Sequence, residues 1–118
     1  MLTFSHSLKI CLVAGVTDMR CGFDGLSAIV SGSLELDPLD GSLFVFANRK
    51  RDRLKILYFE RGGFWLLARR LEKGSFNWPE TKLRSVEMSV EELTLLLGGI
   101  DLRKTTRRCW YEQLSKEK

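Results

Sequence analysis

The run Arg49-Lys50-Arg51-Asp52-Arg53-Leu54-Lys55 packs five cations and one acid into seven positions, a net of +4 that equals the net charge of the whole chain. Such a cluster repels itself unless a counter-charge lies against it, and the phosphates of a nucleic acid supply one. More cations fall within its reach. Arg61-Gly62-Gly63 separates two apolar runs, Leu54 to Phe59 and Phe64 to Ala68, which reads as a β-hairpin. A two-residue turn at Gly62-Gly63 pairs Arg61 with Phe64, and that register sets Lys55 opposite Arg70, Ile56 opposite Arg69 and Arg53 opposite Glu72. The open end of the hairpin then gathers the loop with Arg69, Arg70 and Lys73. The candidate nucleic-acid contact set is Arg20, Arg49, Lys50, Arg51, Arg53, Lys55, Arg69, Arg70 and Lys73. The bland alternative is a solvated basic rim.

Nearby aromatics (Phe44, Phe46, Tyr58, Trp65 and Trp78) have faces on which bases could stack, but their alternating strand positions mark them as core. A second basic cluster, Arg103 to Arg108, precedes Cys109-Trp110-Tyr111. It reads equally as a basic arm or a solubilising tail.

For catalysis the residues offer little. Two-metal phosphoryl transfer needs carboxylates converging on ions about 4 Å apart. Asp18, Asp24, Glu35, Asp37 and Asp40 are the acids of the first third, and nothing in their spacing brings them together. Asp18 suits a helix cap or a partner for Arg20. His6 falls in a stretch expected to fray. Gly22-Phe23-Asp24-Gly25 lacks the spacing and the Lys of a phosphate-binding loop. Cys11, Cys21 and Cys109 form no C-x-x-C pair, and a single His is too few for a Cys/His zinc cage. Neither a catalytic residue, a metal site nor a cofactor is assigned.

The elements that must carry these residues are legible from periodicity. Leu8 to Val13 is a first strand, stopped at Ala14-Gly15. Phe23, Leu26, Ile29 and Val30 follow helical spacing over about 22–30, with Gly32 as the stop. Gly22 and Gly25 there weaken the helix and imply that another backbone, or a partner, comes close. Asp37-Pro38-Leu39-Asp40-Gly41 has turn chemistry. Leu43 to Phe46, apolar on both faces, suits a covered central strand. Strands at 54–60 and 64–70 form the hairpin, Ser75 to Trp78 is a further strand or extended piece, and Val86 to Met88 is a short strand. Ser89-Val90-Glu91-Glu92 is a capping box, followed by the apolar stripe Val90, Leu93, Leu96, Leu97 and a stop at Gly98-Gly99. The reading is an α+β domain over 1–101, a small antiparallel β-sheet of about five strands with two packed helices. Residues 102–118 form a basic tail.

Length and composition agree. With 118 residues and 44% apolar content, one independently folding domain is expected. Free thiols suit a reducing cytoplasm. The apolar stretch Leu8 to Val16 is too short to span a bilayer.

Several segments read together resemble a known family. They are Thr17-Asp18-Met19-Arg20, Gly22-Phe23-Asp24-Gly25-Leu26, Leu43-Phe44-Val45-Phe46, Asn48 through Leu57, Arg69 through Pro79, and Gly99-Ile100-Asp101. In that order they resemble the TnpB-type accessory protein of the bacterial insertion sequence sixty-six family, which is not the RNA-guided nuclease of the same name. The resemblance runs from about Leu8 to about Asp101. It implies an accessory role in DNA transposition beside a separate transposase that carries the catalytic acids, with element-end DNA and that transposase as partners. Cys21 departs from the pattern, which usually has Lys or Arg after Met-Arg. If that position touches phosphate, the resemblance implies weaker binding or a decayed copy. Two other readings stand beside it: a metal-dependent nuclease using Asp18 and Asp24, and a protein-only adaptor binding through the Gly22-to-Val30 helix.

Overall fold

The first strand, β1 (Ile10–Val16), begins two residues after the expected start at Leu8, and its first four residues are buried. In the computed structural model of the chain, residues 8–98 are described. They form strands β1, β2 (Leu43–Ala47), β3 (Arg53–Glu60), β4 (Gly63–Arg70) and β5 (Ser85–Met88), with helices α1 (Phe23–Ala28) and α2 (Val90–Leu97). The five strands make one sheet in the order β4-β3-β2-β1-β5. The α+β fold, a mostly antiparallel five-stranded sheet with two helices, is the one expected.

β1 and β2 are the parallel pair, Ile10 lying beside Leu43 and Leu12 beside Val45. A parallel pair cannot be closed by a tight turn and needs a crossover of about a dozen residues or more. The crossover here is α1, a single π turn (Ile29–Ser33) and the Asp37–Gly41 turn. In that turn Asp37 accepts the Leu39 amide at 2.9 Å and Asp40 that of Ser42 at 2.8 Å. β1 runs past the expected stop at Ala14-Gly15, continuing through an irregularity after Leu12 to Val16. Gly32 likewise lies inside the π turn rather than ending the helix.

The sheet is covered on both faces. On one, Ile10, Leu12, Leu43, Val45, Leu54 and Ile56 pack with Phe76 and Trp78 and with Leu93 and Leu96 of α2. On the other, Cys11, Val13, Phe44, Phe46 and Leu57 pack with Leu26 and Val30 of the crossover. All five residues of β2 are buried, as its unbroken apolar run required. Complete burial of one such side chain contributes roughly 1.5–3 kcal/mol. Residues 75–78 form no strand and lie outside the sheet; the Trp78 amide donates back to the Phe76 carbonyl at 3.0 Å. The capping box forms as read: the Ser89 side chain accepts the Glu92 amide and Glu92 accepts that of Ser89, each at 3.1 Å.

The hairpin register differs from expectation. Glu60 pairs with Gly63 and Arg53 with Arg70, so the turn residues are Arg61 and Gly62. Their φ angles are 49° and 80°, the two positive values of a type I′ turn. Lys55 therefore faces Ala68, not Arg70; Ile56 faces Leu67, not Arg69; and Arg53 faces Arg70, not Glu72. The glycines of the first helix also have a more local explanation. A side chain at Gly25 would meet the Cys21 side chain at 3.1 Å, whereas nothing lies within 4 Å of Gly22. The expectations for His6, for Gly99 to Asp101 and for the tail over 102–118 fall outside the described residues.

Candidate nucleic-acid interface

Because β1 and β2 run parallel, the segment after β1 and the loop after β2 leave the sheet at the same end. β3 starts and β4 stops there too. The fold thus collects the nine candidate cations at one end of the sheet, interleaved with Asp18, Asp52 and Glu72. They divide into those that hold the end together and those that are displayed by it.

Three are structural. Arg51 occupies a left-handed backbone position, φ 57°. Its guanidinium donates to the carbonyls of Ala14 at 3.0 Å and Gly15 at 3.3 Å, and lies 5.2 Å from the centre of the Trp78 ring. Burial lowers its pKa. Lys55 donates from Nζ to the carbonyls of Met19 at 2.7 Å and Cys21 at 2.8 Å, fixing the loop that carries Arg20. Arg69 donates to the carbonyl of Leu97 at 2.6 Å, a cation at the last turn of α2 where the helix dipole favours one. Replacing Arg51 along with its neighbours would therefore disturb the fold as well as the charge.

The other six are displayed. Arg49 and Lys50, at the tip of the loop, are exposed and make no hydrogen bond or ion pair among the described residues. Arg53 and Lys73 are exposed in the same way. Arg70 is held by Glu72 through contacts of 3.1 and 3.2 Å. Arg20 is gripped by Asp18, Nη2 to Oδ2 at 2.7 Å, with its side chain 91% exposed. Hydrogen bonds from Arg20 lower the Asp18 carboxyl to about 2. Arg53 and Arg70 share the α1 side of the sheet with Lys55, since these positions alternate with the side chains facing α2.

Asn48, which sequence reasoning passed over, builds the loop. Its side-chain oxygen accepts the amides of Asp52 and Arg53 at 3.2 and 3.1 Å, and its amide donates to the Asp52 carboxylate at 2.7 Å. That bond holds the Asp52 carboxyl below the usual range. The available signal was an Asn opening a charged loop, the setting in which a side chain replaces a backbone turn. Of the aromatics, Phe44, Phe46 and Trp78 are core, Tyr58 is half-buried, and Trp65 is exposed. Trp78 donates from its ring to the Val13 carbonyl at 3.0 Å.

The carboxylates do not assemble. Asp18 is taken by Arg20, and Asp24 is exposed in the first turn of α1. Among the described residues no group of three or more His, Cys, Asp or Glu side chains is placed to hold a metal ion. Cys21 is half-buried and packs against the core on the α1 side. No helix among the described residues is long and apolar enough to cross a membrane.

Residues 8–107 match the family described as IS66 Orf2 like protein. The chain belongs to this family. Its connection is therefore with insertion sequences, as an accessory reading frame rather than a known enzyme family. Two proteins of Sinorhizobium fredii (strain NBRC 101917 / NGR234) are similar along nearly their whole length, both uncharacterized. Protein y4hO is 40% identical over 103 residues, covering 87% of this chain and 90% of its own. Protein y4jC is 36% identical over 108 residues, covering 92% of each. No solved structure matches the chain.

Proposed function

We propose that the basic end of the sheet binds the phosphate backbone of DNA during transposition of the parent element, holding it for the transposase without a catalytic step of its own. One observation carries this reading: Arg49, Lys50, Arg53 and Lys73 are exposed at one end and form no ion pair among the described residues, with Asp52 the acid near Lys50 and Arg53. Arg20 and Arg70 flank them, already oriented by Asp18 and Glu72. An excess of cations concentrated on one end favours a polyanion and gives salt-dependent, sequence-tolerant binding. Element-end DNA and the transposase are the partners this role implies, in the cytoplasm where that DNA lies.

The test is duplex binding by fluorescence anisotropy across a salt series. Replacing Arg49, Lys50 and Arg53 with Ala should lower the salt slope by about one unit per lost phosphate contact. Unchanged affinity in the folded triple variant would overturn the reading. Metal-dependent nicking of element-end DNA by the parent chain, lost in an Asp18→Ala, Asp24→Ala variant, would favour an enzyme instead.

A further inference from the structure

Among the described residues, β4 is an edge strand of eight residues with no neighbour on its outer side. The opposite edge, β5, has only four. Long open edges invite pairing with another chain, and proteins usually blunt them with proline, a bulge or an inward charge. From Gly63 to Ala68, β4 has none of these: its sequence is Gly-Phe-Trp-Leu-Leu-Ala, and the register with β3 is unbroken.

The outward-facing backbone groups can be identified. The Asn48 amide donates to the Arg53 carbonyl, so Arg53 turns its backbone towards β2; the Leu71 amide donates to Asp52, so Leu71 turns towards β3. Alternation along an antiparallel ladder then points the N–H and C=O of Phe64, Leu66, Ala68 and Arg70 away from the sheet. Beside this edge Trp65 and Leu67 stand 47% and 37% exposed on the α2 side. The Trp65 ring is steadied by a 3.1 Å bond to Glu60.

We propose that two copies of the chain pair antiparallel along β4 about a two-fold axis at Leu66, joining their sheets into one. In that register Leu66 meets Leu66 of the second copy, Trp65 meets its Leu67, and Phe64 meets its Ala68, so each apolar side chain opposes another on the same face. The outward backbone groups of 64, 66 and 68 fall into facing hydrogen-bonded pairs. Charge selects this arrangement. Arg69 and Arg70 of one copy lie opposite Gly63 and Gly62 of the other, which carry no side chain, and Arg69 sits one strand from that copy's Glu60. A parallel pairing would stack Arg69 and Arg70 upon themselves.

The experiment is the mass of the full chain in solution, by sedimentation equilibrium, for the parent and an Ala68→Pro variant. The Ala68 N–H serves no bond within the sheet and its side chain is exposed, so proline there should spare the monomer fold. The expected result is a dimer for the parent and a monomer with parental circular dichroism for the variant. A second variant, Leu66→Cys, should cross-link to a dimer under mild oxidation beyond any seen in the parent, since facing residues of a hydrogen-bonded pair lie about 5.5 Å apart, within disulfide reach. A monomeric parent, as expected if β4 is reserved for a different protein, would overturn the proposal. So would a dimer that survives Ala68→Pro, or failure of Leu66→Cys to cross-link.

Discussion

Arg53 and Arg70 stand directly opposite each other, the last pair of the β3–β4 ladder at its open end. Like charges in facing positions weaken a strand pair by up to about 1 kcal/mol, and Glu72 relieves Arg70 alone. Arg53→Thr should therefore raise the urea midpoint at low ionic strength, and the gain should vanish at high salt. The same change should weaken DNA binding. A variant that gains nothing in stability at low salt would show that the pair is not strained.

Lys55 is bonded into the fold and Lys50 is exposed, although they lie five residues apart. Lys55→Met leaves the Met19 and Cys21 carbonyls without their donor, a loss of about 1–2 kcal/mol. Lys50→Met, on the exposed tip, should change stability by no more than about 0.5 kcal/mol. Denaturant unfolding of the two variants checks the contrast, and equal effects would contradict the role given to Lys55.

The hairpin turn is improvable. Arg61 holds φ 49° without the features that make this region cheap, and type I′ turns favour Asn-Gly at the two turn positions. Arg61→Asn should stabilise the fold by on the order of 1 kcal/mol. Gly62→Ala, at φ 80°, should destabilise it. Thermal unfolding of both variants distinguishes this turn from the Gly62-Gly63 alternative, in which Asn at position 61 would gain nothing.

The Asp18–Arg20 pair gives a pH signature. The Asp18 carboxyl is lowered from 3.8 to about 2, first by the side-chain hydrogen bond from Arg20. A lowered carboxyl stabilises the fold above its unfolded value and loses that contribution as pH falls towards the folded one. The loop should therefore loosen between about pH 4 and pH 2. In an NMR titration Asp18 should titrate near 2 in the parent and higher, towards 3.8, in Arg20→Gln, which keeps only the 2.9 Å bond from the backbone amide of residue 20. An unshifted Asp18 in the parent would refute the pairing.

Why some of this was legible in the sequence and some was not has a physical basis. The buried run of β2 and the Ser89 capping box are local signals, and both appear as read. The hairpin strands were also evident, but their register was not. Moving the turn from Gly62-Gly63 to Arg61-Gly62 changes every cross-strand partner by two residues and leaves each side chain on its original face, so hydrophobic alternation cannot tell the two apart. The division of the cations into supports and display was not legible for a different reason. Arg51, Lys55 and Arg69 are spent on carbonyls of Ala14, Met19 and Leu97, groups distant in sequence that carry no side-chain signature. Charge counting found the basic end, but only the fold separates its supports from its display.

The bond from the Phe76 amide to the Arg51 carbonyl, at 2.6 Å, has a kinetic consequence. Together with the Trp78 ring beneath Arg51 and the Asn48 bonds across the loop, it anchors the backbone that carries Arg49 and Lys50 to the core. A charged loop held this way has little left to order when an anionic partner arrives, so capture needs no folding step of its own. Under the proposed function, association with DNA should then be governed by long-range attraction, fast at low ionic strength and falling steeply as salt is added.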